Sequence, residues 1–120
     1  MLWLYNEKTG QRTRNDIVVG AGYSGRGRGR NNPLFEAASN IGTVPRRQYR
    51  IGSQRSHPEK GALTMSLIPI GHAANGRTSF LIHGDSIKNP GDASEGCIIL
   101  DRHVRQTIAT SGDADLVVVQ

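Results

Sequence analysis

Two runs decide how this chain is read: Phe80-Leu81-Ile82-His83-Gly84-Asp85 and Ala93-Ser94-Glu95-Gly96-Cys97-Ile98-Ile99-Leu100. Each joins a short apolar, β-branched stretch to glycine and small polar residues, which is the composition of a strand bounded by a turn. Strands are therefore expected at Ser79–His83 and Cys97–Leu100, with a Gly/Asp/Asn/Pro loop between them. Alternation puts Phe80 and Ile82 on one face and Leu81 and His83 on the other. His83 ends the first strand and Cys97 begins the second, fourteen positions later. A loop of that length can return the chain beside its origin. Adjacent strands would then bring the His83 and Cys97 side chains to the same end of the sheet.

Outward from this pair, further strands are read at Leu2–Tyr5, Ile17–Val19, Gln48–Ile51, Ala62–Ile70 and Leu116–Val119. In Ala62–Ile70 the alternation sets Leu63, Met65 and Leu67 on one face and Thr64 and Ser66 on the other. Two short helices are expected. One runs from Pro33 to Ser39 behind an Asn32 N-cap. The other follows Asp101, with Val104 and Ile108 one turn apart and Gly112 as its stop. Residues 20–33 read as loop. Fifteen glycines in 120 residues, with only 5% aromatics, suit short strands and tight turns. The expected fold is mainly β, one domain over residues 1–120.

Composition narrows the function. Fifteen basic against ten acidic residues give a net charge of +5, and twelve of the fifteen are arginine. Such a balance favours an anionic partner, since arginine forks match carboxylates and phosphates. No apolar run is long enough to span a bilayer, and one cysteine provides no disulfide framework. The first residues, Met1-Leu2-Trp3-Leu4-Tyr5-Asn6-Glu7, carry no basic leader and precede no small-residue cleavage site, so synthesis in the cytoplasm without a signal peptide is expected. The Gly25-Arg26-Gly27-Arg28-Gly29-Arg30 run looks like an RNA-binding arginine–glycine segment, but it is short and poor in aromatic neighbours. His57, His72, His83, His103, Asp85 and Cys97 show no close metal-ligand spacing. No cofactor and no nucleic acid are expected.

The chemistry that fits His83 and Cys97 is nucleophilic catalysis. A thiol of ordinary acidity is only a few per cent thiolate at neutral pH, and an adjacent imidazole takes its proton and later returns it to a leaving amine. The Ser94-Glu95-Gly96 turn would aim the amides of Gly96 and Cys97 at one point, as an oxyanion hole, with Ser94 adding a hydroxyl donor or fixing the turn. The same residues also admit a purely structural reading: a buried core cysteine and a satisfied strand-end histidine. Asp85 either orients His83 or forms the turn, and Tyr23, Asn31 and Asn32 either line a groove or serve as turn and cap.

His-Gly, about a dozen residues, then Ser-x-Gly-Cys and an apolar strand resembles the catalytic domain of the YkuD-type L,D-transpeptidases. The chain is more similar still to a small branch of type VI secretion effectors, the Tlde group, which attack peptidoglycan. The Gly22–Pro33 stretch, Gly42-Thr43-Val44-Pro45 with Tyr49-Arg50-Ile51-Gly52, and Gly76-Arg77 leading into Phe80–Gly84 extend the resemblance over about residues 3–119. Two positions depart from the housekeeping enzymes: Glu95 stands where histidine is usual, and Ile99 where arginine is usual. Loss of that arginine leaves Arg77, Arg102 or Arg105 to meet the substrate carboxylate. The resemblance implies a β-sandwich and a Cys97 nucleophile with a His83 base. It also implies a tetrapeptide stem whose terminal D-Ala is removed or exchanged, and action in the periplasm of a target cell after delivery. A secretion-machine component and a cognate immunity protein are the implied partners. A phage-borne lytic enzyme would use the same chemistry.

Overall fold

The computed structural model describes residues 2–14, 17–38, 41–57, 60–72, 74–77, 80–85, 91, 94 and 96–119. Among them are ten strands: β1 (Leu2–Asn6), β2 (Gln11–Arg14), β3 (Ile17–Ala21), β4 (Tyr23–Ser24), β5 (Arg47–Ile51), β6 (Arg55–His57), β7 (Gly61–Pro69), β8 (Leu81–His83), β9 (Ile98–Ile99) and β10 (Asp115–Val119). One helix, α1 (Arg102–Thr110), and short 3-10 turns at Gly27–Gly29, Pro33–Phe35 and Ala74–Gly76 complete the order. The fold is β-rich, as the strand patterns require.

The strands form one hydrogen-bonded path, β3-β2-β1-β10-β5-β7-β8-β9-β4, with β6 pairing β7 beside it. This path curls into a half-barrel, where a sandwich would have two separate sheets. β10 lies between β1, to which it is parallel, and β5, to which it is antiparallel. Its register sets Leu116 opposite both Trp3 and Tyr49, and all three are fully buried. Each such side chain contributes about 1.5–3 kcal/mol on burial, so this row across three strands anchors the core.

Several elements differ from expectation. Pro33–Ser39 forms only the 3-10 turn Pro33–Phe35, with the expected Asn32 cap accepting from the Leu34 amide at 3.1 Å; Ser39 lies outside the described residues. In β7, Met65 and Leu67 are buried, but Leu63 takes a φ of 55° and is only half-buried, while Thr64 is fully buried. The alternation breaks there because the irregular β6 pairing, Arg55 with Thr64 and His57 with Gly61, gives way to pairing with β8 and β5. Residues 20–33 are not all loop: β3 runs on to Ala21, and Tyr23 and Ser24 form β4. The helix after Asp101 is as expected. Asp101 accepts from the Val104 amide at 2.9 Å, Val104 and Ile108 are buried, and α1 packs on β7.

Candidate functional site

β8 and β9 are neighbours, as the two runs suggested, but they are parallel: Ile82 pairs with Ile98 and His83 with Ile99. His83 therefore lies level with Ile99, and Cys97 lies two residues back. Parallel partners point to the same side of a sheet, so Leu81, His83, Cys97 and Ile99 share one face. Ile82 and Ile98 project from the other face into the main core. Strand rise and spacing put the His83 and Cys97 Cα atoms roughly 8 Å apart along that face. The expectation that both sit at one end of an adjacent pair is corrected by strand direction: they sit at opposite ends of a very short parallel pair.

Cys97 packs in a small cluster with Tyr23 and Ile99, flanked by Leu81, and is 8% exposed. His83 is buried. Its Nδ1 lies 2.7 Å from the Gly84 carbonyl oxygen. A carbonyl only accepts, so Nδ1 carries the proton and Nε2 of the neutral ring carries the lone pair. That Nε2 is buried and has no hydrogen-bond partner among the described residues. Burial lowers the pKa of His83 below the usual imidazole range. The Gly84 bond opposes the shift, and the charges of Lys60, Arg105 and His57 reinforce it. The ring is thus held neutral with its basic nitrogen available.

The turn before Cys97 is organised by Ser94, which is fully buried. Its hydroxyl donates to the Cys97 carbonyl at 2.6 Å and accepts from the amides of Gly25 at 2.8 Å and Gly96 at 3.2 Å. The Gly96 amide, expected to face an oxyanion, is therefore used within the turn, and Ser94 acts as the clasp. Ser24 repeats the pattern: its hydroxyl donates to the Gly96 carbonyl at 3.2 Å and accepts from the Val44 amide at 2.7 Å. Gly96 adopts a φ of 132°, and a Cβ there would lie 2.4 Å from an Arg77 nitrogen. Any side chain there would strain the backbone and displace the Arg77 guanidinium. Glu95 lies outside the described residues.

The arginines considered for a substrate carboxylate are placed differently from one another. Arg77 is buried and donates to the carbonyls of Glu36 at 2.6 Å, Thr43 at 2.7 Å and Gly42 at 3.0 Å. Burial lowers its pKa, and the charges of Tyr49, Cys97 and Glu36 partly restore it. Arg105 ties α1 to β7, donating to Leu100 at 3.1 Å and Ala62 at 2.9 Å. Arg102 opens α1 and is exposed. Arg77 thus spends three N–H bonds on backbone carbonyls, and Arg105 is bonded through Nε and Nη1.

Tyr23 stands at the site because β4 pairs antiparallel with β9, Tyr23 opposite Ile99. Its hydroxyl donates to Asp85 Oδ1 at 2.5 Å, and Asp85 also accepts from the Gly91 amide at 3.2 Å. Asp85 thereby joins the Tyr23 ring to the loop at Gly91. Asn32 is a cap, and Asn31 accepts from the Ser24 amide at 3.1 Å. The clasp residue Ser24 is what sequence reasoning missed; the available signal was an aromatic–hydroxyl pair inside a glycine-rich stretch. Among the described residues, no three His, Cys, Asp or Glu side chains gather into a group able to hold a metal, and no helix is long and apolar enough to cross a membrane.

A protein-family model described as the Tlde1 domain matches residues 19–118. No curated protein and no solved structure matches the chain.

Proposed function

Because the chain belongs to the Tlde1 domain family, type VI secretion effectors related to L,D-transpeptidases, we propose that it is a Cys97 enzyme acting on the peptide stems of peptidoglycan. The Cys97 thiol gives its proton to His83 Nε2, and the thiolate attacks the carbonyl joining the third stem residue, usually meso-diaminopimelate, to D-Ala. The imidazolium returns the proton to the departing D-Ala amine, leaving a thioester on Cys97. Water then releases a tripeptide, a free D-amino acid gives an exchanged stem, and a neighbouring side-chain amine gives a crosslink. Clipping and exchange both deplete the tetrapeptide donors a growing wall needs. The setting that suits this chemistry is the periplasm of a target cell reached by secretion, with an immunity protein guarding the producer.

The observation that carries the reading is the state of His83. Its Nδ1 is committed to Gly84, and its buried, unpartnered Nε2 lies on the face that Cys97 shares. The large majority of buried side-chain nitrogens and oxygens have a hydrogen-bond partner. The arginine excess suits a carboxylate-rich polymer. The test is mass spectrometry of purified muropeptides incubated with wild type and with Cys97→Ala. Tetrapeptides should shorten to tripeptides or exchange their terminal D-Ala with wild type alone. Equal inertness of both proteins, or equal activity, refutes the proposal.

A further inference from the structure

We propose that Arg30 is the carboxylate receptor of this site, the residue that grips a free carboxylate of the stem peptide; the assignment rests on the peptidoglycan reading above. The Arg30 guanidinium carbon lies 4.4 Å from the centroid of the Tyr23 ring. Tyr23 packs in the same cluster as Cys97, so one aromatic side chain links the guanidinium to the thiol's surroundings. The ring is fixed at its far end by the bond to Asp85, and the same carboxylate is occupied by the Gly91 amide. The guanidinium extends over Gly91, where a Cβ would come within 2.8 Å of its Nη1.

Stacking solves the usual weakness of an exposed arginine. A free side chain loses much rotamer entropy when it binds, whereas a guanidinium held on a ring keeps its planar fork pre-set. Arg30 is exposed and makes no side-chain hydrogen bond or ion pair among the described residues. Its N–H donors are open to a bidentate carboxylate. Arg77 also lies over a ring, at 5.3 Å from Phe80, but it donates to three backbone carbonyls. The glycine-rich stretch thus brings a positive charge onto the Tyr23 ring, its small residues letting the backbone of this stretch pack closely. Gly29, for instance, approaches the Ile41 carbonyl so tightly that a Cβ would lie 2.0 Å from its oxygen.

The test measures equilibrium binding to Cys97→Ala protein, with and without Arg30→Gln. The probes are a tetrapeptide stem with both carboxylates free, its D-Ala carboxamide, and a form amidated at the diaminopimelate carboxylate. We expect the free stem to bind at least about 10-fold more tightly than one of the two amidated forms, the size of a charged hydrogen-bonded contact. Arg30→Gln should erase that preference, Arg30→Lys should restore part of it, and the amide that matters identifies the carboxylate gripped. A preference that survives Arg30→Gln overturns the assignment, as does the absence of any preference. So does a substitution that abolishes binding of a uridine oligonucleotide while leaving stem binding intact. Turnover by the wild type separates the two claims. Cleavage without an Arg30-dependent preference sinks the receptor and keeps the chemistry, and an Arg30-dependent preference without cleavage does the reverse.

Discussion

One nitrogen of His83 is spent on the backbone and the other is kept from it. That division suits the ring to the role of base proposed for it: Gly84 sets the tautomer, and burial weakens the tendency to charge. The consequence is a pH profile. Since the folded pKa is lowered, the ring stays neutral to a pH below the usual imidazole value of about 6.5. The acid limb of kcat/KM should therefore fall below that value, with activity rising as pH rises through it. Lys60→Gln removes a positive charge that lowers the pKa, so it should move the acid limb upward. A pH–rate series on both proteins checks this, and an unmoved limb denies His83 the role of base. The stability linkage has the same sign: protonating a ring whose folded pKa is depressed costs stability as pH falls below the unfolded value.

At the scale of elements, the site depends on short pieces held by side chains rather than by long ladders. β4 and β9 have two residues each, and their mutual pairing is reinforced by the Ser24 and Ser94 clasps. α1 is better founded, because its cap and its buried stripe were written locally. Asp101→Ala removes the hydrogen bond to the Val104 amide and should lower unfolding free energy by about 1 kcal/mol. Urea denaturation should show a lower midpoint at an unchanged slope. Asp101, Val104, Ile108 and Gly112 were legible for the same reason: capping and the 3.6-residue period act within a few positions. The direction of β9 relative to β8 was not legible, since nothing within either strand distinguishes parallel from antiparallel partners.

For the whole molecule, the telling group is Glu7, at the turn after β1. It is fully buried, and its carboxyl group lies close to that of Glu36. Its pKa is pushed up to about 8, chiefly by burial and then by the nearby Glu36 carboxylate, against a lowering by Arg46. Glu36 receives the Arg46 guanidinium at 3.3 Å, and its backbone carbonyl receives Arg77. Glu7 thus lies near Glu36, whose carbonyl holds Arg77. A carboxyl whose folded pKa is raised contributes most below its unfolded value, about 4.5, and that contribution is lost as pH rises through about 8. Glu7→Gln imitates the protonated form. It should leave the melting temperature nearly unchanged at pH 5 and raise it by several degrees at pH 8.5, the equivalent of a few kcal/mol at most. Thermal melts across that range check it, and equal shifts at both pH values refute the mechanism.

The amino-acid sequence alone determined the β-rich class, the two runs bearing His83 and Cys97, the separation of Phe80 and Ile82 from Leu81 and His83, and the caps at Asn32 and Asp101. All of these follow from residue type and near-neighbour spacing, where sterics and local hydrogen bonds decide. Tertiary structure alone decided that the two strands run parallel and that Ser94 receives the Gly25 amide. It alone decided that Arg77 is buried as a bracket and that Tyr23 carries Arg30 beside the cysteine. Those outcomes rest on contacts from Ile82–Ile98, sixteen positions apart, to Tyr23–Ile99, seventy-six apart, and contacts over such separations are selected by the packing of the whole chain, which no local pattern encodes.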